Sequence, residues 1–184
     1  MAQENYTKYA ILGLLTTECK TGYDIKQMID RSLTYFWKIS YGQIYPTLKK
    51  LVEDELATVT TTTQQGKPDK KEYQITEEGK QLLQQWLHES IAQLPIEKNE
   101  LLLKLFFSRH QKTDTVIFQV EQYKVMQKEK WDALLAIEES IRGCNSPDLD
   151  YWLMTIDYGK HVTTACIEWC ERTLAQLHEK KEEV

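Results

Sequence analysis

Ser40-Tyr41-Gly42-Gln43-Ile44-Tyr45-Pro46-Thr47-Leu48-Lys49-Lys50-Leu51-Val52 is the stretch whose reading decides the fold. Ser40 and Gln43 stand three residues apart ahead of an apolar run. That is the spacing of a capping box, in which two side chains serve backbone donors left open at a helix start. Ile44, Leu48, Leu51 and Val52 fall at i, i+4, i+7 and i+8, a single apolar stripe. At about 100° per residue the opposite face carries Gly42, Gln43, Pro46, Lys49, Lys50 and Glu53, with Tyr45 at the border. Gly42 and Pro46 keep that face low. Pro46 also removes a backbone donor and crowds the preceding turn, so the first turn is expected to be kinked or irregular.

Toward the N-terminus, Thr21 and Asp24 form a second capping-box pair, and Ile25, Met28 and Ile29 give the buried face of the helix they open. Before it, Ala10, Ile11, Leu14 and Leu15 recur at helical spacing within a helix over 6–17. Beyond the central helix the period changes. Residues 56–63, Leu-Ala-Thr-Val-Thr-Thr-Thr-Thr, are rich in β-branched side chains and read as a strand. Gln64–Asp69, with Gly66 and Pro68, reads as a turn or loop, and Lys70–Ile75 as the returning strand of a hairpin. Thr76 then caps a helix with Glu77 and Glu78 in its first turn and an apolar face of Leu82, Leu83, Trp86 and Leu87. Helix, helix, helix, hairpin, helix is the order of a winged helix-turn-helix.

Pro95 marks a boundary, which predicts a first domain over 1–92 and an all-α second domain over 93–184. The second is read as a helix over 97–109, a long helix capped by Thr113 and reaching about Arg142, and a break at Gly143-Cys144-Asn145. Ser146-Pro147 then reads as an N-cap with proline at the first helical position of a last helix running to about His178. Leu149, Ile156, Thr163, Cys166, Cys170 and Leu177 mark that helix with a near-heptad stripe, suited to a dimerisation domain.

The net charge is −5, which at first argues against a nucleic-acid partner. Its distribution argues the other way. No acid lies between Arg31 and Val52, a stretch that holds Arg31, Lys38, Lys49 and Lys50, and Lys67, Lys70 and Lys71 gather at the hairpin. The exposed face of the central helix is therefore the candidate for a DNA major groove. Ser40, Tyr41, Gln43 and Tyr45 sit at its entry, Gln43 suited to an adenine edge and Lys49 and Lys50 to phosphates or guanine. The hairpin lysines Lys67, Lys70 and Lys71 would follow the backbone or the adjacent minor groove. A winged-helix protein-interaction module without specific DNA binding is the alternative, motivated by the acidic total and by Glu53-Asp54-Glu55.

Tyr9-Ala10-Ile11-Leu12-Gly13-Leu14-Leu15, Gly22-Tyr23-Asp24-Ile25, residues 42–51 and Tyr73-Gln74-Ile75-Thr76-Glu77-Glu78-Gly79-Lys80 closely resemble the PadR family of bacterial regulators, in order and over residues 9–80. The helical region after Pro95 looks like the longer subfamily. The resemblance implies a cytoplasmic homodimeric repressor that binds an inverted-repeat operator and is released, in several members, by a small aromatic or drug-like molecule. One position departs from the family pattern. Glu55 stands where the family usually has Gly before the hairpin, so either the turn differs or a non-glycine residue accepts a left-handed conformation at roughly 1 kcal/mol.

Trp37, Trp131, Trp152, Tyr158 and His161, with Trp169, are the residues expected to line an aromatic effector pocket between the domains or subunits, unless they simply fill a dimer core. No catalytic residue is assigned. A Gly-rich phosphate loop, an HExxH and a GxSxG are all missing, and the four histidines are scattered. Cys19, Cys144, Cys166 and Cys170 read as reduced small hydrophobes, and no ligand set accompanies the Cys166–Cys170 spacing, so neither a metal nor a cofactor is expected. No stretch approaches the roughly 20 apolar residues of a membrane span, and the first five residues do not open a signal peptide, so the reading is cytoplasmic.

Overall fold

The computed structural model describes residues 6–64, 67–94 and 97–182. The chain divides into two compact units, Met1–Leu94 and Pro95–Val184. The first holds α1 (Tyr6–Leu15), α2 (Gly22–Arg31), a 3₁₀ turn at Leu33–Tyr35, α3 (Tyr41–Glu53), β1 (Ala57–Gln64), β2 (Lys67–Ile75) and α4 (Glu77–His88). The second holds α5 (Glu100–Phe106), a 3₁₀ turn at Ser108–His110, α6 (Thr113–Ile141) and α7 (Leu149–Glu182). Among the described residues no helix is long and apolar enough to cross a membrane.

The stripes of α1, α2 and α3 meet in one core, where Ile11, Leu12, Ile25, Ile29, Ile44, Leu48 and Leu51 are sealed from water. Each such side chain contributes roughly 1.5–3 kcal/mol on burial. Leu82 and Leu83 of α4 close the core from the side, and Trp86 stacks on Tyr9 with ring centres 4.6 Å apart. Leu87, expected on the same face, is exposed. At the start of α2 the Thr21 hydroxyl accepts the Asp24 N–H (3.1 Å), and the Asp24 carboxylate accepts the Thr21 N–H (2.8 Å). Burial works against the charged Asp24, but the donors of Thr21 and Lys20 outweigh it and hold the carboxyl below its ordinary pKa. The proline inside α3 does not interrupt the helix. Pro46 and Gly42, whose carbonyl it cannot serve, are both exposed, so water can take the missing bond.

The end of α3 carries the decisive local geometry. Glu55 is left-handed, with φ 60°, the one non-glycine residue of positive φ among those described. The Leu56 N–H bonds the Leu51 carbonyl (2.9 Å) and the Glu55 N–H that of Val52 (3.1 Å). These are the two bonds of a Schellman cap, and Leu56 completes it by packing on the core that holds Leu51. Thr76 then ties the junction. Its hydroxyl donates to the Glu55 carbonyl (2.8 Å) and accepts the Gly79 N–H (3.1 Å), while its own N–H bonds the Leu56 carbonyl (3.1 Å). Gly79 is required here, because a Cβ on it would lie 2.2 Å from the Leu56 carbonyl oxygen.

The hairpin is longer than the sequence suggests. β1 and β2 pair antiparallel from Ala57↔Ile75 out to Thr62↔Lys70 and Gln64↔Lys67, with an irregularity between Thr62 and Gln64. Lys67–Asp69 are therefore strand rather than loop. Pro68 is tolerated because a two-stranded sheet has only edge strands. Gly66, expected in the turn, lies outside the described residues. Ala57, Tyr73 and Ile75 pack on the core, whereas Thr60–Thr63 are exposed, so the outer hairpin stands free as a wing. The Tyr73 N–H bonds the Lys20 carbonyl (2.7 Å), fastening β2 to the loop ahead of α2.

In the second unit α6 and α7 have 29 and 34 residues, about 44 and 51 Å at 1.5 Å per residue. Ile156, Thr163 and Cys170 of α7 are buried at intervals of seven. Leu101, Ile117, Val120, Cys170 and Leu174 form the core, with Tyr123 and Trp169 packed on it. Gly159 lets Leu134 approach to 3.1 Å from where its Cβ would be. Glu138 of α6 receives Lys160 of α7 (2.7 Å) and Arg142 (2.8 Å). The Lys160 hydrogen bond outweighs desolvation and keeps the carboxyl of Glu138 below its ordinary pKa. Helix starts differ from expectation. Asn99 caps a shorter α5, Lys112 rather than Thr113 is the N-cap of α6, and the Ser146 hydroxyl accepts the Asp148 N–H (3.2 Å) in a turn that precedes α7. Cys144 is exposed, not packed.

The Glu55–Gly79 junction yields an opposed pair of outcomes. Glu55→Gly relieves the left-handed strain and raises unfolding free energy by roughly 0.5–1 kcal/mol. Gly79→Ala lowers it by about 2–4 kcal/mol through overlap with backbone. Urea unfolding monitored by tryptophan fluorescence measures both, and a Glu55→Gly protein no more stable than the parent would refute the strained turn.

Candidate nucleic-acid interface

The N-cap Ser40 and Tyr41, Gly42, Gln43, Tyr45, Pro46, Lys49 and Lys50 of α3 are all exposed. A Cβ at Gly42 would meet nothing within 4 Å, so nothing within the chain demands glycine there. A glycine inside a helix costs roughly 0.5–1 kcal/mol relative to alanine, and leaves backbone open to close approach. Gln43 has a job in the fold: its Oε1 accepts the Ser40 N–H (3.1 Å) and hydroxyl (2.9 Å). Neither bond uses Nε2. Gln43 as held here is a donor toward a purine acceptor, and two-point pairing with adenine requires it to give up the cap.

The lysines are not bare charges. Lys49 pairs with Glu53 (3.5 Å), Lys50 with Asp54 (2.8 Å) and Lys70 with Glu72 (2.7 Å), all on exposed surface. The hydrogen bond and charge of Asp54 lift Lys50 above the ordinary lysine pKa, and Glu72 does the same for Lys70. Exposed pairs of this kind contribute on the order of 0–1 kcal/mol, so a phosphate can displace the acid. Lys71 is exposed opposite Thr61 on β1, while Lys67 stands opposite Gln64 with its side chain outside the described part.

The face of α2 next to these residues had no sequence signal beyond its capping box, yet it shapes the site. The Tyr41 hydroxyl donates to the Asp30 carboxylate, and that bond raises the tyrosine's pKa. The Lys26 ammonium lies 4.3 Å from the centre of the Tyr41 ring. The Tyr45 ring rests on Gly22, where a Cβ would stand 2.6 Å from Cε1. Gly22, Asp24, Tyr45, Lys70, Lys71 and Tyr73 line an open hollow of about 450 Å³, which brings the start of α2, the exposed side of α3 and β2 onto one surface. Burial pushes the Tyr73 phenol up in pKa.

The expected effector residues are divided. Trp37 belongs to the first unit, with its ring edge-on to Tyr6 (5.5 Å). Trp131 and His161 of the second unit share a groove of about 430 Å³ with Asp157, Lys160, Thr164 and Glu168. Trp152, half-buried, and Tyr158, exposed, do not line it. Trp169 packs on the core instead.

The chain matches the model of the "Transcriptional regulator PadR-like family" over residues 11–85 and that of "Virulence activator alpha C-term" over residues 97–178. It is 34% identical to the negative transcriptional regulator PadR of Bacillus subtilis over 182 residues, covering 92% of this chain and 96% of that one. It is similar to the solved structure of Bacillus subtilis PadR in complex with operator DNA, with a TM-score of 0.82, 32% identity and coverage of 94% of this chain and 99% of that one. The same regulator in complex with p-coumaric acid gives a TM-score of 0.76 at 29% identity, over 95% of this chain and 99% of that one.

Freeing the lysines tests the surface. In a Glu53→Gln/Asp54→Asn protein, affinity for a scrambled 30-base-pair duplex rises about three- to tenfold at low salt, and the salt dependence steepens. Fluorescence anisotropy measures both. An unchanged affinity would place Lys49 and Lys50 away from DNA.

Proposed function

The chain belongs to the PadR-like family of transcriptional regulators, and from that premise we propose that it is a homodimeric repressor reading an inverted-repeat operator with α3 and the wing. The observation that carries this reading is the continuous exposed surface made by Gly42, Gln43 and Tyr45 of α3 with Lys70 and Lys71 of β2. On this reading α3 enters the major groove through its N-terminal half. Gly42 admits the backbone, while Ser40, Tyr41, Gln43 and Tyr45 face base edges and the nearest phosphates. Lys49, Lys50, Lys67, Lys70 and Lys71 hold the flanking backbone. No catalytic step is assigned to the chain.

The second unit supplies the dimer. Leu102, Leu103 and Phe106 of α5 and Phe118, Val125 and Met126 of α6 are exposed in the single chain, and Phe118 and Val125 share a face. Apolar side chains gathered in this way mark an association surface, and a second copy is the partner that an inverted repeat calls for. The groove at Trp131 and His161 is our candidate for a small aromatic effector, with an indole wall and a lining that includes Lys160 and the carboxylates of Asp157 and Glu168. Bound p-coumaric acid in the Bacillus subtilis relative supports that chemistry.

A duplex selected by the full-length chain from a random-sequence pool tests the reading. It binds at least a hundredfold tighter than a scrambled duplex, and affinity falls with salt at a slope near 0.9 per phosphate contacted. Lys49→Ala weakens both duplexes alike. Gln43→Ala narrows the gap between them by roughly 1–3 kcal/mol. Equal binding of the selected and scrambled duplexes sinks the repressor reading. Sedimentation of Phe118→Asp/Val125→Asp shows a monomer where the parent is a dimer, and an unshifted dimer removes this face from the interface.

A further inference from the structure

The two tyrosines on the exposed side of α3 are held by α2, not by α3 itself. The Tyr41 hydroxyl donates to Asp30, eleven residues earlier in the chain, and Lys26 lies over its ring. The ring of Tyr45 lies on the first residue of α2, at a place where only a hydrogen atom fits: a Cβ on Gly22 would be 2.6 Å from Cε1 and 3.0 Å from Cζ. Tyr41 and Tyr45 are nonetheless 49% and 60% exposed, so what α2 fixes is their direction and not their burial. An exposed tyrosine otherwise samples several rotamers, and each immobilised on binding costs roughly 0.5–1.5 kcal/mol. A side chain held in place before contact avoids that cost and meets the base edges in one geometry.

We propose that Gly22 and Asp30 are specificity-determining positioning residues, which contribute to operator discrimination by presetting Tyr45 and Tyr41 rather than by touching DNA. The proposal rests on the reading of α3 as the DNA-contacting helix. The Gly22 position separates positioning from stability. Gly22 is the first residue of α2, directly after the N-cap Thr21, and a Cβ on it would conflict only with the Tyr45 ring, which can swing away about its side-chain bonds. Alanine there improves helix propensity and displaces only the Tyr45 ring. Stability and discrimination therefore move in opposite directions, which a merely structural role does not produce. At Asp30, loss of a negative charge beside DNA favours every duplex, so the informative quantity is the ratio of affinities and not affinity itself.

The test uses the full-length chain with a duplex it selects from a random pool and the scrambled duplex of the same length. Gly22→Ala retains or raises the midpoint of thermal unfolding while the selected-to-scrambled ratio falls roughly tenfold. In a Tyr45→Ala background the same substitution changes the ratio no further. Asp30→Ala lowers the ratio several-fold, Asp30→Asn, which keeps an acceptor for the Tyr41 hydroxyl, restores most of it, and Asp30→Ala adds nothing to Tyr41→Phe. A Gly22→Ala ratio equal to that of the parent overturns the proposal, as does full additivity of Gly22→Ala with Tyr45→Ala. A parent chain that fails to discriminate the two duplexes overturns the DNA-reading premise instead, and with it this proposal.

Discussion

The left-handed residue at the end of α3 is the constraint on which the first unit depends. Glu55 reverses the chain so that Leu56 packs on the core and β1 departs from it. The Thr76 hydroxyl then holds the Glu55 carbonyl and the first turn of α4 at once. Four elements end or begin within this knot, and Gly79 is the residue whose missing side chain lets them meet. The wing's direction relative to α3 follows from it, because β1 and β2 are both rooted there. A glycine at position 55 would make the same turn with less strain, and the Schellman bonds with the Leu56 contact offset that strain in this chain.

The second unit solves a different problem. Two helices as long as α6 and α7 have a buried seam but too little else to cover their remaining faces. The seam is narrow, with buried side chains at intervals of seven on α7 and the close Gly159–Leu134 approach. Glu138, half-buried and shared by Lys160 and Arg142, adds a polar contact that fixes the register of the pair. What is left over is apolar surface on α5, α6 and α7, in keeping with a unit that is completed by a second copy.

Local chemistry made much of this readable in the sequence. The pairs Thr21/Asp24 and Ser40/Gln43 and the cap at Thr76 announce three helix starts because their partners lie within three residues. The three stripes that form the first core are equally local. The exceptions have physical reasons. Pro68 reads as a breaker, but an edge strand does not miss its donor. Ser146-Pro147 reads as a helix start, whereas the structure spends Ser146 on a separate turn. In the site, the positions of Gln43, Lys49 and Lys50 follow from helical geometry, and the acidic partners of the two lysines sit at i+4 in plain view. The Tyr41–Asp30 bond and the Gly22–Tyr45 contact are tertiary, and nothing in the spacing of those residues signals them. The aromatic residues grouped as one effector set fall in both units, Trp37 in the first and Trp131, Trp152, Tyr158 and His161 in the second, because composition counts tryptophans without placing them.

On the proposed reading of α3 and the wing as the DNA-contacting surface, the acid-paired lysines shape how the chain finds its target. A bacterial chromosome presents on the order of 10⁶ or more non-cognate registers, and a surface of bare lysines would dwell on all of them. Here Lys49, Lys50 and Lys70 each carry a carboxylate of their own. In a loose encounter the phosphate stays too far away to displace that carboxylate, so the attraction is small. In a close-fitting complex the exchange goes through. The internal counter-charge thus shortens residence on random DNA more than on the cognate site, and leaves a larger share of molecules in transit. A repressor present in few copies gains in search time what it gives up in raw grip.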